Sequence, residues 1–118
     1  MTIYQRMQAV FTAAGIPGFL QGWRATPEYP QIPDKFAAYI VNSEGPALCA
    51  DDALLISRTE LSLHVYGKTD VTVETAALRD ALLTRGFAVS GVRDLDDVRE
   101  GDYIYHRRMA VTLIEIGG

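Results

Sequence analysis

The residues best suited to chemistry are one cysteine and two histidines, in a chain of 118 residues. Cys49 precedes Ala50-Asp51-Asp52, and two carboxylates disfavour the thiolate that a nucleophilic cysteine needs. We therefore expect Cys49 to be a small buried apolar residue. His64 and His106 each alternate with apolar residues on predicted strands, without the H-x-x-x-H or C-x-x-C spacing of metal sites. The two rings could face each other across neighbouring strands, although a solvent-exposed or core-edge position is commoner for such histidines.

Acidic and glycine-rich stretches give no stronger signal. The acidic run Asp94 to Asp102 lacks the glycine and terminal glutamate of an EF-hand, so it is interpreted as a solvated loop. Gly15, Gly18 and Gly22 follow no strand and precede no Gly-Lys-Ser/Thr, so they are turn glycines and not a phosphate loop. The sequence thus predicts no catalytic residue, no metal site and no cofactor.

Composition predicts one globular domain spanning residues 1–118, because 48% of the residues are apolar and 22% are charged. The net charge of −4, without a block of five like charges, argues against a nucleic-acid module. The most basic stretch, His106-Arg107-Arg108, is interpreted as a solvated strand face. A single cysteine allows no internal disulfide, and no apolar run reaches membrane-spanning length. We expect a cytosolic setting and no membrane contact.

Two helices are predicted to position these residues. Apolar residues from Ile3 to Ala14 recur one helical turn apart, with Thr2 as a possible N-cap and Gly15 as the stop. A second helix begins at Val71 and ends at Arg85, with Gly86 as its C-cap.

Strands account for most of the remaining chain. Phe36 to Val41 is typical of a strand covered on both faces, followed by a turn over Asn42 to Pro46. Ala53 to Tyr66 predicts a bent strand with a bulge near Arg58, or else a hairpin extension, with Leu61, Leu63 and Val65 on its buried face. Two closing strands are predicted, Phe87 to Val92 and Tyr103 to Ile116. The fold class is α+β: a single mixed, mostly antiparallel sheet with two helices packed on one face.

Apolar residues outside these patterns predict contact surfaces. The proline-rich segment Gly18 to Asp34, predicted as an ordered loop or edge segment, carries three aromatic residues, and a second apolar group surrounds Asp51-Asp52. They either contact another protein or cover the open face of the sheet. The interface candidates are Phe19, Trp23, Tyr29, Leu48, Leu54 and Ile56.

The order of several pieces carries a resemblance. Pro30 and Pro33 precede the strand Phe36 to Val41, and the sequences ALCADD (47–52) and LSLHVYGKTD (61–70) follow. The helix with Glu74, Leu78 and Leu82 comes next, then Gly86-Phe87 and a last strand opening with Glu100-Gly101-Asp102-Tyr103. In this order and spacing the chain resembles the small phage tail-terminator, or tail-completion, proteins of long-tailed phages and prophages.

The resemblance implies a mixed sheet flanked by helices, and six copies in a ring that ends tail-tube growth and offers a surface to the head. Implied partners are further copies of the chain, the major tail-tube protein and a head connector or head-completion protein. DNA would pass through without specific binding, and the protein would be made in the host cytoplasm and reside in the virion's tail-neck region. By analogy, acidic residues would face the lumen: Asp94, Asp96, Asp97 and Glu100. The family has no catalytic residues to transfer.

Two alternatives remain open. Trp23 and Arg24 occupy a stretch that is longer and more polar in many tail-terminator-like chains, so a neighbouring neck or minor capsid role is also compatible. The second alternative is a small enzyme or ligand-binding module, with a pocket between the sheet and the helices that uses His64, His106 and Tyr105.

Overall fold

The computed structural model describes residues 2–49, 55–95 and 103–116. These residues form one five-stranded sheet in the order β1-β2-β3-β5-β4, in which only β1 and β2 run parallel. This confirms the predicted α+β class with a single mixed, mostly antiparallel sheet. No helix in the described part of the chain has the length and apolar character to cross a bilayer. The elements in chain order are α1 (Ile3–Ala14), β1 (Gly18–Leu20), β2 (Lys35–Cys49), β3 (Leu55–Gly67), α2 (Thr72–Thr84), β4 (Ala88–Leu95) and β5 (Tyr105–Ile116).

Local capping chemistry fixes the helix ends. At the start of α1, the Thr2 side chain accepts a hydrogen bond from the backbone N–H of Gln5, whose side chain accepts one from the Thr2 N–H. Gly15 ends α1 in the left-handed conformation at φ 73°, as predicted. The C-cap of α2 is Arg85, one residue before the predicted Gly86. Gly86 itself adopts the left-handed conformation just after the end of the helix.

The β2–β3 hairpin departs from the sequence prediction. The predicted turn at Asn42 to Pro46 is wrong, because β2 continues to Cys49 and its extension pairs with β3. The bulge predicted near Arg58 in β3 is also misplaced, since the register shifts lie between Val41 and Ser43 and between Pro46 and Leu48 in β2. Polar turn residues stay extended here because cross-strand pairing satisfies their backbone groups.

Both helices pack on one face of the sheet and bury the core there. The predicted alternation of β3 holds, with Leu61, Leu63 and Val65 on this face and each almost wholly buried. Their neighbours across the sheet are Ala37 and Tyr39 of β2 and Met109, Val111 and Leu113 of β5. We call this the helix side, and the opposite surface the open side. The intervening residues of each strand therefore point to the open side.

Candidate functional site

Two histidines meet on the open side of the sheet. Strand alternation places His64 on the open side, because its neighbours Leu63 and Val65 are buried on the helix side. It also places His106 there, because Met109, three residues further along β5, is buried on the helix side. His64 Nδ1 and His106 Nε2 lie 2.7 Å apart, a hydrogen bond in which one ring donates and the other accepts. The rings therefore face each other across neighbouring strands, which the sequence offered only as the less common of two settings.

The basic stretch His106-Arg107-Arg108 is not the solvated strand face that was predicted. His106 is only 4% exposed, and both arginines are half-buried. Tyr66, directly opposite His106 in the register, stacks on the imidazole with ring centroids 4.3 Å apart and an interplanar angle of 16°. A flat ring across the strand pair removes the imidazole from water, which single-strand alternation cannot reveal.

An aromatic row continues from this pair to the proline-rich segment. Tyr66 stacks on Phe36 at 5.1 Å, and Phe36 meets Phe19 of β1 edge-on at 6.1 Å. Phe19 in turn contacts Tyr29 edge-on at 5.8 Å, and Tyr103 packs edge-on against Phe36 at 5.7 Å. We define the aromatic row as Phe19, Tyr29, Phe36, Tyr66 and Tyr103. It joins three strands to the segment that follows β1.

Tyr103 adds a polar anchor at the same end. Its hydroxyl donates a hydrogen bond to the Pro33 carbonyl, and Lys68 Nζ lies 5.4 Å from the centre of its ring. Residues 21–34 are thus held by ring contacts at Tyr29 and by a hydrogen bond at Pro33.

A buried hydroxyl orders the middle of the open side. Ser62 Oγ accepts hydrogen bonds from Asn42 Nδ2 at 2.8 Å and from an Arg108 guanidinium nitrogen at 3.0 Å. These bonds link the side chains of β2, β3 and β5, so Arg108 lies along the sheet and does not extend into solvent.

The structure places the aromatic interface candidates within the molecule. Phe19 and Tyr29 are half-buried in the aromatic row, which favours the interpretation that they cover the open side of the sheet. Trp23 is half-buried, and its indole nitrogen has no hydrogen-bond partner among the described residues. Ile56 is half-buried in β3, opposite the backbone of Leu48 in β2.

Other candidates fall partly outside the described residues. Leu54, Asp96, Asp97 and Glu100 lie outside them. Asp94 lies exposed in β4, where its carboxylate is 2.9 Å from Arg107 Nε. In this solvent-accessible pair the charge of Asp94 is largely balanced, although the pair adds little to stability.

The alternative site between sheet and helices is wrong in its placement. His64 and His106 lie on the open side, whereas Tyr105 has the same alternation as Met109 and points to the helix side. Tyr105 and His106 line one groove beside the start of α2, whereas His64 is not among its walls, so the three side chains do not all share a pocket. Within the described residues, no three or more His, Cys, Asp or Glu side chains come together in a way that could hold a metal ion.

Sequence reasoning missed three rings of this site: Phe36, Tyr66 and Tyr103. Their signal was present in part, because His64 and Tyr66 are two residues apart and so share a face. The register that brings Tyr66 over His106 is set by the long pairing of β3 with β5.

A groove of about 650 Å³ also lies between the end of α1, β1 and residues 26–29, with Phe11, Ile16 and Phe19 among its walls.

No protein-family model matches the chain, and no curated protein matches it. Function is therefore inferred from the residue pattern and from the surfaces of the molecule.

Proposed function

We propose that the chain is the subunit of a ring, of six copies, that caps the tail tube of a long-tailed phage or prophage, ends its elongation and offers the head-joining surface. The ordered pieces of the tail-terminator resemblance support this role, and so does the fold, a mixed sheet flanked by helices. Its partners would be further copies, the major tail-tube protein and a head connector, with DNA passing through the ring.

One observation carries the proposal: apolar side chains are exposed on two opposite surfaces. On the open side, Ile40 is 43% exposed and Ile114 is 53% exposed. On the outer surface of the helices, Val73 is 77% exposed and Leu83 is 45% exposed, both on α2. The sheet and its core lie between the two sets.

Two different apolar surfaces are what a ring requires. In a closed ring each subunit contacts its neighbours through two unlike patches, whereas a two-fold dimer uses one patch that matches itself. The open side of one copy against the helices of the next would bury both sets. Because Phe19 and Tyr29 already serve the aromatic row, Ile40 and Val73 become the leading interface residues.

The acidic lumen follows the same proposal with less support from the described residues. Asp94 is paired with Arg107, so a negative wall would depend on Asp96, Asp97 and Glu100. Such a wall would let DNA pass without binding.

Charge substitutions on the two surfaces test the ring. Ile40→Asp disables the open side and Val73→Asp disables the helix surface, and both positions are exposed enough for the fold to survive. Each variant alone should stay monomeric by light scattering at two concentrations, under conditions in which the wild type assembles. Gln31→Asp adds the same charge at an exposed loop position and should assemble normally.

Mixing the two variants separates a ring from a dimer. One variant keeps an intact helix surface and the other keeps an intact open side, so an equimolar mixture should form heterodimers and stop there. A single patch that matches itself predicts instead that only one of the variants is defective and that mixing restores nothing.

Purified tail tubes supply the functional readout. Negative-stain microscopy should show wild-type rings on tube ends, and neither single variant should close them. A wild-type protein that stays monomeric at every concentration and ignores tubes would refute the proposal.

A second candidate function, a small ligand-binding module, is favoured by the groove beside α1. Its volume of about 650 Å³ is in the range of small-molecule sites, and aromatic rings form part of its wall. If the tail-tube experiment fails, Thr12→Trp, at an exposed position that lines this groove, should fill it and abolish binding of any small molecule that the wild type retains.

A further inference from the structure

Two aromatic rings in different planes line the groove beside α1. Phe19 and Tyr29 both form part of its wall, and their rings meet edge-on with centroids 5.8 Å apart and an interplanar angle of 81°. Such a pair supplies two sides of an aromatic cage, the arrangement in which proteins bind alkylated ammonium groups. The groove volume of about 650 Å³ falls in the range of small-ligand sites.

The charge lining this groove has one sign. Among the described residues of its wall, Glu28 is the charged one and is exposed, and none is Lys, Arg or His. Arg24, four residues before Glu28, is not part of the wall. A carboxylate at the rim therefore favours a positively charged ligand.

The end of α1 adds a second source of negative potential. Thr12 and Gly15 line the groove at the C-terminus of this helix. The last carbonyls of a helix carry partial negative charge, and the last turn of α1 contains no basic residue to offset it. The helix end and Glu28 thus attract a cation and repel an anion.

We propose that this groove binds a small organic cation of the alkylammonium class, whose alkyl groups contact the rings while Glu28 and the end of α1 balance its charge. Phe11 and Ile16 supply apolar wall for the alkyl groups, and the faces of aromatic rings attract the charge. A phosphate or carboxylate ligand would meet no cation among the described residues of the wall. The proposal names the ligand of the binding-module alternative and is independent of the proposed ring.

Three soluble probes of similar shape separate the effect of charge from that of shape. Choline carries a quaternary ammonium group, 3,3-dimethylbutan-1-ol has a tert-butyl group in its place, and 3,3-dimethylbutanoate carries a negative charge. Each is titrated into the purified protein, and binding is followed by the backbone amide NMR signals of Thr12, Gly15 and Gly18, which line the groove. Choline should bind about fivefold or more tightly than the neutral alcohol, and the anion should bind most weakly.

Substitutions at the charged residue test its contribution to binding. Glu28→Gln removes the carboxylate from an exposed position and should weaken choline binding about two- to fivefold, while binding of the neutral alcohol stays unchanged. Glu44→Gln makes the same change at an exposed position of β2 outside the groove and should alter neither.

Substitutions at one ring test the aromatic wall. Tyr29→Leu removes the ring and should remove most of the preference for choline over the alcohol, whereas Tyr29→Phe retains the ring and should retain the preference. Thr12→Trp, which fills the groove, should abolish binding of choline. If Tyr29→Leu does not fold, Glu28→Gln still decides the question.

The ligand class is overturned if choline does not bind, if it binds no more tightly than the neutral alcohol, or if the anion binds best. Choline-induced shifts outside the groove would also overturn it, as would choline binding that Glu28→Gln and Tyr29→Leu both leave unchanged. None of these results depends on assembly. A protein that forms rings and shows no preference for choline would therefore contradict this inference alone.

Discussion

A side chain at Gly18 is expected to destabilise the fold because there is no space for it, and not because of the backbone conformation. A Cβ built at Gly18 would lie 2.1 to 2.3 Å from three ring carbons of Phe11. Non-bonded carbons prefer about 3.5–4.0 Å, so the ring or β1 would have to move by more than about 1 Å. Phe11 is almost wholly buried and packs against Tyr39, so it has little room to move.

Overpacking of this kind costs about 1–3 kcal/mol. For a domain of this size, 1 kcal/mol changes Tm by about 4 °C, so Gly18→Ala should lower Tm by about 4–12 °C. The shift should also change Trp23 emission, because β1 leads directly into residues 21–34.

Thermal and urea unfolding followed by circular dichroism measure the effect, and Gly45→Ala is the matched control. A Cβ at Gly45 meets no atom within 4 Å, so this change in a neighbouring strand should be neutral or stabilising by up to about 1 kcal/mol. Phe11→Leu, which narrows the ring to a branched chain, should relieve part of the clash. The double variant should then lose less free energy of unfolding than the two single variants lose together, by about 1 kcal/mol or more.

Equal unfolding temperatures for Gly18→Ala and Gly45→Ala would contradict the predicted clash. Additive effects of Gly18→Ala and Phe11→Leu would also contradict it, because additivity would mean that the two side chains do not compete for one space.

Three further predictions concern the core, the Asp70 carboxylate just before α2 and a buried phenol. Leu78→Ala should lower the free energy of unfolding by about 2–5 kcal/mol, because Leu78 is fully buried. The same change at exposed Leu83 should lower it by less than about 1 kcal/mol. Equal losses of stability in urea unfolding would contradict this packing. The side chain and backbone N–H of Thr72 donate to Asp70 and lower the pKa of that carboxyl below 3.8. The ionised Asp70 therefore stabilises the fold above pH 3.8, and this contribution is lost as the pH falls through the lower pKa that Asp70 has in the folded state. Asp70→Ala should accordingly lower Tm at pH 6 and not at the acid end of a pH series. Burial, with a smaller contribution from the nearby Tyr4, raises the pKa of Tyr39 above 10.0. Stability should therefore fall as pH rises above about 10, less so in Tyr39→Phe, and a spectrophotometric titration that finds no late-ionising phenol would contradict this.

Much of the fold could be predicted because its signals are local. The side chain of Thr2 caps the start of α1, and the left-handed backbone of Gly15 ends the helix, so the bounds of α1 follow from the sequence. Alternation within β3 likewise gives the buried face, since the period of two is a property of an extended chain. The turn predicted over residues 42–46 is wrong for the converse reason, because pairing with residues 57–60 of β3 overrides their turn-like composition.

The assembly role remains a prediction from the residue pattern, and its candidate residues changed once packing was known. Phe19 and Tyr29 were predicted to be interface residues because they are aromatic residues in a proline-rich segment, but each contacts another ring of the same chain. Ile40 and Val73 lie within a predicted strand and a predicted helix, and the sequence did not predict that they are exposed. Whether an apolar residue on an element is covered depends on which face the other layers occupy.

The class of fold, the bounds of the helices and the inward face of β3 follow from the sequence alone, because hydrophobic periodicity and end caps act over a few residues. The register between β3 and β5 follows only from the folded molecule. It places His64 against His106, with Tyr66 stacked on His106, and turns Tyr105 to the helix side. The physical reason is that a shift of one residue along a strand reverses every side chain, and this register is fixed by a core formed from the whole chain.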